Sequence, residues 1–380
     1  EDEGLELNLL RQPSWAALSD ILALGHLDAA HMLSPMPAAI SLGLSGPAVH
    51  IDAPFTLSVN GTVIGASNEL AAAMRATGWQ PDPLDPKATA KALLSAFKRP
   101  LIIGVPFPHS MHRLLLEYLM AGAASGQSAD ISILTTPPPL MAAAVADGEI
   151  DLFCVGEPWG TVAVSSGAAE LILPGSSIWA HAPEKVLGMR RDWAADNDET
   201  CGALLRAMYR ASRWLGRADN SPLASTILAR SEHLDLPDHA IDPALTGRIV
   251  ARAGQTAWQV PNFLKFFAGA TTFPWRSQGA WIGAQIARIH GLDKEETARA
   301  AAASLFGVRP VRAFVVLFRV LAFVVIVATR HVLRFAKGAH HRGRGAQVRQ
   351  SKIGLAVEGR AKGLDREVVA TQRDVGRRKV

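Results

Sequence analysis

The segment 150–160 carries the residues whose types and spacing are most suggestive of chemistry. It reads Ile-Asp-Leu-Phe-Cys-Val-Gly-Glu-Pro-Trp-Gly, so an apolar strand ends at Gly156 and a Glu-Pro-Trp sequence opens the next helix. In α/β proteins such a junction places backbone N–H donors against a small anion. Glycine and proline also occur at such junctions for purely structural reasons, so this segment alone leaves both interpretations open.

Three further side chains could donate hydrogen bonds or charge to an anion. Trp15 follows Ser14, a predicted helix N-cap, where its indole could face either a ligand or the core. His112 begins a helix whose dipole opposes the imidazolium form but still permits one N–H donor, and it could equally face solvent. Lys185 supplies a positive charge, although lysines are usually exposed. The turn at 60–62, Asn-Gly-Thr, matters only if it faces the same cleft.

Signatures of common enzymes are absent from the sequence. It contains no Gly-x-Ser-x-Gly, no phosphate-binding loop, no His-Glu-x-x-His and no Cys-x-x-Cys. For His26 and His31, the sequence identifies no carboxylate or thiolate that could complete a set of metal ligands. These two histidines therefore predict no metal site. Glu157 lacks a partner acid or base and is interpreted as a helix cap. We therefore predict a binding protein with no catalytic residue, no metal and no cofactor.

The charge of the chain is unevenly distributed. Residues 307–380 hold 17 Lys and Arg against 4 Asp and Glu, whereas residues 1–306 hold 22 against 30. The basic pI therefore belongs to the C-terminal region and does not predict direct binding of nucleic acid by the remainder. Cys154 and Cys201 indicate neither a metal site nor a redox compartment, and Cys154 is interpreted as a core residue of an apolar strand.

The elements that would position these residues alternate between strands and helices. In the first hundred residues, strands at 5–10, 27–33, 49–55 and 57–66 with helices after Ser14, after Pro35 and at 69–77 favour a covered parallel sheet. A second unit has strands at 101–105, 131–134 and 150–155 and helices at 111–124, 138–146 and 158–166. Strands at 171–173 and 186–189 and a helical region at 193–217 would return the chain to the first unit.

This order of elements predicts an α/β clamshell of two lobes, the second inserted in the first. Lobe I comprises residues 1–100 and 171–306, and lobe II comprises residues 101–170. A ligand would lie in the cleft where strand ends and helix starts of both lobes meet. It would have to contact both lobes to favour closure.

Seven ordered runs of residues carry a resemblance to a known family. They are Pro-Ser-Trp at 13–15, Leu-Asp-Ala-Ala-His-Met-Leu-Ser-Pro-Met-Pro at 27–37, Asn-Gly at 60–61, the segment 106–112, Pro-Pro-Pro at 137–139, Phe-Cys-Val-Gly-Glu-Pro-Trp at 153–159 and Pro-Glu-Lys-Val at 183–186. As a set they resemble the nitrate and bicarbonate substrate-binding family of ABC importers and its cytoplasmic nitrate-sensing relatives. The resemblance covers about residues 1–306.

The resemblance implies a type II periplasmic-binding-protein fold that holds nitrate or nitrite through Trp15, His112, Gly156 and Lys185. At one position the chain departs from the family, because Thr62 replaces a ligand-contacting glutamine. Nitrate spreads one charge over three oxygens and suits several modest donors from different directions. Bicarbonate carries an O–H and also needs an acceptor. Because no carboxylate ligand is evident in the sequence, nitrate or nitrite is preferred.

The resemblance further implies delivery of the anion to an ABC permease, in the periplasm or at the outer face of the inner membrane. Two alternatives stay open. One is a cytoplasmic nitrate sensor that regulates an RNA-binding antiterminator, which would lack an export signal. The other is a thiamine-pyrimidine-synthase-like enzyme on the same fold, which would need a reactive cysteine or a histidine cluster facing the cleft.

Both ends of the chain depart from the family pattern. The family's first strand and helix lie upstream of residue 1, so the resemblance implies an N-terminally truncated lobe I with a missing strand and an exposed sheet edge. After Phe306 the resemblance stops. The apolar run at 313–329 contains Arg319 and is short for a membrane span of about 20 residues. We interpret residues 307–380 as a basic tail that is out of frame or disordered.

Overall fold

A computed structural model describes residues 3–96, 100–123 and 131–304, which all belong to one compact unit of the chain. The tail at 307–380 and its apolar run lie outside these residues. Within the described residues, every helix is too short or too polar to cross a lipid bilayer.

The described chain contains thirteen α-helices and eleven strands. The helices are α1 (Trp15–Ala23), α2 (Met36–Ser41), α3 (Asn68–Ala76), α4 (Pro86–Ala96), α5 (Met111–Ala123), α6 (Met141–Ala146), α7 (Trp159–Ser165), α8 (Arg191–Asp196), α9 (Asp198–Leu215), α10 (Ser221–Leu228), α11 (Asp238–Thr246), α12 (Arg276–His290) and α13 (Lys294–Ser304). The strands are β1 (Ala30–Leu33), β2 (Ile51–Asn60), β3 (Thr62–Ser67), β4 (Leu101–Val105), β5 (Ile131–Thr135), β6 (Leu152–Gly156), β7 (Ala169–Pro174), β8 (Pro183–Arg190), β9 (Arg248–Ile249), β10 (Trp258–Gln259) and β11 (Leu264–Lys265).

The first sheet has the strand order β1-β8-β2-β11, and each neighbouring pair in it is antiparallel. The parallel sheet predicted for the first hundred residues is therefore wrong. Strand β8 arrives from far along the sequence and inserts between β1 and β2, so those two strands bond to β8 and not to each other. The strand predicted at 5–10 is also wrong, because this segment has no regular structure and Leu7 and Leu9 are exposed.

The second sheet has the order β5-β4-β6-β3-β7, and β9 and β10 form a separate antiparallel pair outside both of these sheets. Strand β4 runs parallel to β5 and β6, and β3 runs antiparallel to β6 and β7. Strands β3 and β7 therefore lie in one sheet with β4, β5 and β6, whereas the predicted boundaries at residues 100 and 171 place β3 in lobe I and divide β7 between the lobes. Apolar clusters cover both faces of this sheet, one of them packed under α3, α4 and α5. Helix α4 starts at Pro86, and proline is favoured in the first turn of a helix.

The junction between the two sheets lies at Asn60 and Gly61. Both residues have positive φ, 63° and 88°, so the chain turns sharply from β2 into β3. The buried Asn60 side chain holds this turn: its Nδ2 donates to the carbonyls of Ala180 and Asn262, each at 2.8 Å, and its Oδ1 accepts from the Ala182 N–H at 3.0 Å. Ala180 and Ala182 lie between β7 and β8, where the chain crosses back to the first sheet. The Asn60 side chain therefore links this second crossing to the turn from β2 into β3.

We predict that Asn60→Ala lowers the free energy of unfolding by about 2 kcal/mol, because it removes the three hydrogen bonds of a buried side chain and places alanine at positive φ. Chemical denaturation of the full chain measures this. Asn68→Ala is the matched control, since Asn68 is exposed and makes one hydrogen bond to Gly167. Equal losses in the two variants would contradict the assigned role of Asn60.

Candidate anion-binding site

His112 lies in the first turn of α5, on the stripe that packs against the second sheet. Its side chain is 2% exposed, so the solvent-facing interpretation is wrong. Burial is the main cause that lowers the pKa of His112 to about 4; Glu184 opposes this shift and Lys185 adds to it. The imidazole is therefore neutral near pH 7, with one nitrogen as donor and the other as acceptor. Neither ring nitrogen has a hydrogen-bond partner among the described residues.

Gly156 ends β6 directly beside this imidazole. A Cβ built on Gly156 would lie 3.8 Å from Nε2 of His112 and within 4 Å of no other described atom outside its chain neighbours. The missing side chain therefore leaves a space between the end of the strand and the ring. A small ligand in this space would contact both the backbone of Gly156 and the imidazole.

Glu157 caps the helix that follows, as the sequence predicts. Its Oε2 accepts a hydrogen bond from the Thr161 N–H at 2.9 Å, so this N–H of α7 is not directed at a ligand. Burial raises the pKa of Glu157 to about 7, and the hydrogen bonds from Thr161 oppose the shift. Glu157 thus stabilises the N-terminal end of α7, and its Oε2 is not directed into the space beside Gly156.

Lys185 and Glu184 lie at the start of β8 and form an ion pair. Glu184 is buried, and its Oε1 lies 3.6 Å from Nε2 of His112 without a hydrogen bond. Burial alone would raise the pKa of Glu184, but Lys185, His112 and His31 together lower it, so the carboxylate is ionised. The side chain of Lys185 is only 17% exposed, so the exposed-lysine interpretation is wrong.

Trp15 lies at the first position of α1, where Ser14 caps the helix by accepting from the Ala17 N–H at 3.1 Å. The indole is half-buried against the core of the first sheet. Nζ of Lys185 lies 5.7 Å from its ring centroid, within the range of a cation–π contact. Trp15 therefore both packs on the core and borders Lys185, so the two sequence interpretations of this residue are compatible.

Thr62 begins β3 and pairs directly with Gly156. Residues opposite each other in an antiparallel pair project on the same face of the sheet, so Thr62 shares the face that His112 covers. Its hydroxyl is buried without a hydrogen bond of normal geometry and points toward Gly175, on which a Cβ would come within 2.0 Å of it. Thr62 is thus next to the site, and its hydroxyl has no hydrogen bond to His112 or Lys185 in the described part of the chain.

Sequence reasoning missed two members of this cluster, Glu184 and His31. His31 lies on β1 with its ring 6.4 Å from that of Trp15, and it reaches solvent. Crowding by protein atoms and the charge of Lys185 lower its pKa. The signal available for Glu184 was a charge opposite to that of Lys185 in the segment 183–189, whose other residues are Pro, Val, Leu, Gly and Met. Groups of three or more His, Cys, Asp or Glu that could hold a metal do not occur in the described residues.

Two sheets joined at Asn60 and Gly61, with polar groups from both gathered around one small space, form the α/β architecture seen in periplasmic solute-binding proteins. The chain belongs to the NMT1-like family, whose model matches residues 1–229. It superposes on the crystal structure of the periplasmic nitrate-binding protein NrtA from Synechocystis PCC 6803 with a TM-score of 0.70 and 27% identity, covering 79% of this chain and 77% of that one.

Curated relatives show a similar degree of identity. The Nitrate import ATP-binding protein NrtC of Synechocystis sp. is 31% identical over 299 residues, which is 77% of this chain and 43% of that protein. The Bicarbonate transport ATP-binding protein CmpC of Synechococcus elongatus is 31% identical over 284 residues, which is 74% of this chain and 40% of that protein. The chain therefore spans less than half the length of these two relatives.

Proposed function

We propose that this chain binds nitrate or nitrite between its two sheets and delivers it to an ABC permease. The observation that carries the proposal is the buried, neutral His112 with two unpaired ring nitrogens beside the open backbone of Gly156. A buried polar group without a partner is costly, so a ligand that satisfies it gains that free energy. The structural match to a nitrate-binding protein supports nitrate as the ligand.

The chemistry of the site suits a planar anion with one diffuse charge. His112 offers one N–H, the backbone at Gly156 borders the same space, and Lys185 supplies the positive charge beside the Trp15 indole. Each donor is modest, and they come from α5, β6, β8 and α1. These donors match three equivalent oxygens better than a single localised charge. The expectation that the site lacks a carboxylate acceptor for bicarbonate is wrong, because Oε1 of Glu184 is buried beside His112 without a hydrogen-bond partner. The preference for nitrate therefore rests on the structural match.

We infer that the two lobes are the regions built around the two sheets, with their boundary at Gly61 on the first crossing and between β7 and β8 on the second. Trp15 and Lys185 then belong to the first lobe, and Thr62, His112 and Gly156 belong to the second. A ligand held by both groups would favour a closed arrangement.

Calorimetry on the full chain with nitrate, nitrite, bicarbonate and sulfate tests the proposed function. We expect saturable binding of nitrate or nitrite at one site per chain. Binding of bicarbonate with no response to nitrate or nitrite would replace the proposed ligand. No binding of any of the four anions would contradict the proposal.

Gly156→Ala distinguishes an effect on ligand affinity from an effect on the stability of the fold. The new methyl group makes only an ordinary van der Waals contact with His112, so we expect unchanged thermal stability. It fills the space that the anion needs, and we expect nitrate affinity to fall by at least about tenfold, equivalent to roughly 1.4 kcal/mol. Calorimetry and thermal unfolding measure the two effects. Nitrate affinity equal to that of the wild type would place the ligand elsewhere.

We propose that the protein acts in the periplasm or at the outer face of the inner membrane. The structurally similar NrtA, which is described as a periplasmic nitrate-binding protein, supports this location. The alternative of a cytoplasmic sensor uses the same pocket, so cell fractionation discriminates between them: recovery of the native protein only from the cytoplasm would favour the sensor. We further propose that the chain is not an enzyme. Cys154 is fully buried, and burial raises the pKa of its thiol, which disfavours it as a nucleophile.

A further inference from the structure

The only positive charge that the described residues bring to the site is balanced before a ligand enters. Oε2 of Glu184 pairs with Nζ of Lys185, and the Glu184 side chain is 6% exposed. His112 and His31 face the same pair from α5 and β1, and both are neutral near pH 7, so neither adds charge. The unpartnered Oε1 of Glu184 remains turned toward Nε2 of His112 at 3.6 Å.

We propose that Glu184 determines the charge of the ligand, so that the site accepts singly charged oxyanions and excludes doubly charged ones such as sulfate. This inference rests on the proposed function and concerns the same site. Nothing in the sequence pattern of donors requires such a limit, because indole, imidazole, amide and ammonium donors could also serve a dianion.

The physical reason is the sum of charges in a space with little water. With a monoanion bound, Glu184, Lys185 and the ligand leave one net negative charge, which dipolar donors around the ligand can stabilise. With a dianion they leave two, and the second interacts unfavourably with the carboxylate at short range. Buried charges without a partner are strongly disfavoured, and the repulsion grows as the local dielectric constant falls.

Glu184→Gln keeps the shape of the side chain and a hydrogen-bond acceptor for Lys185 but removes the negative charge. By calorimetry on the full chain, we expect the wild type to bind nitrate and show no saturable binding of sulfate. We expect Glu184→Gln to bind nitrate at least about tenfold more tightly and to gain saturable sulfate binding, since attraction to Lys185 is no longer offset.

Glu117→Gln is the matched control, because Glu117 lies on α5 like His112 but pairs with Arg113 and Arg288, at 2.7 and 2.9 Å, outside the site. It should retain the wild-type preference for nitrate over sulfate.

A second measurement needs no variant: perchlorate and sulfate are both tetrahedral but differ in charge. We expect perchlorate to compete with nitrate for the wild type and sulfate not to compete.

The outcomes separate the inference from the proposed function. If the wild type binds neither nitrate nor nitrite, the proposed function is wrong and the inference with it. If the wild type binds nitrate but excludes perchlorate together with sulfate, selection is by shape and the inference alone is wrong. The inference is also wrong if a folded Glu184→Gln variant loses nitrate binding, because Glu184 would then only position Lys185.

Discussion

Lys185→Gln is expected to weaken nitrate binding by at least about a hundredfold, because breaking a buried charge pair typically costs 2–5 kcal/mol. The substitution removes the positive charge and leaves the buried carboxylate of Glu184 unbalanced beside the ligand. Glutamine can still donate a hydrogen bond to Glu184, which limits the loss of stability. The effect on binding therefore has two sources, a lost attraction and an exposed repulsion.

Calorimetry measures the affinity of Lys185→Gln, and thermal unfolding confirms that the variant is folded. Lys91→Gln is the control, since Lys91 is an exposed lysine of α4. It should bind nitrate like the wild type. A folded Lys185→Gln variant with wild-type affinity would remove Lys185 from the site.

Gly65→Ala is expected to lower the free energy of unfolding by about 3 kcal/mol or more, at or beyond the upper end of typical overpacking losses. A Cβ on Gly65 would lie 2.1 Å from Cζ of Phe153 on the neighbouring strand β6. Phe153 is fully buried, and β3 lies between β6 and β7 in the second sheet. Neither the ring nor the strand can move without disturbing the core.

Chemical denaturation measures this loss, and Gly202→Ala provides the comparison. Gly202 lies within α9, and the nearest atom to its added Cβ is the end of the Arg206 side chain at 3.4 Å. Alanine in that helix should be neutral or stabilising by roughly 0.5–1 kcal/mol. A Gly65→Ala variant as stable as Gly202→Ala would show that the close packing at Phe153 is assigned incorrectly.

Local patterns predicted most of the second sheet. The strand at 101–105, the helix at 111–124 and the strand at 150–155 are found at β4, α5 and β6 with small shifts at their ends, because each has its own apolar period. The pairing of strands was not predictable in the same way. The insertion of β8 between β1 and β2 depends on contacts distant in sequence, and no local period records it.

The boundary between the sheets shows a second limit of the sequence. The run at 57–66 is apolar on both sides of Asn60 and Gly61, so it suggested one strand where the chain has two. The Asn-Gly pair was the visible sign of a turn. Its importance depends on the three hydrogen bonds of the Asn60 side chain, whose partners lie far away in the sequence.

The sequence singled out residues that the structure places near one another, but it did not reveal their electrostatics. His112, Gly156, Lys185 and Trp15 were identified individually, and the structure brings them to one region through contacts with Glu184 and with one another. The role of Glu184 was not apparent, since a glutamate next to a lysine usually forms an exposed pair of little consequence. Only its burial makes that carboxylate important for an anion.

A crystal structure of the full chain with nitrate tests the central claim most directly. The account predicts one nitrate between the two sheets, with an oxygen within hydrogen-bond distance of a ring nitrogen of His112, the ligand against the backbone of Gly156, and Nζ of Lys185 turned toward it. A nitrate bound away from His112 and Gly156, or a saturated crystal whose His112 nitrogens still have no partner, would contradict the account.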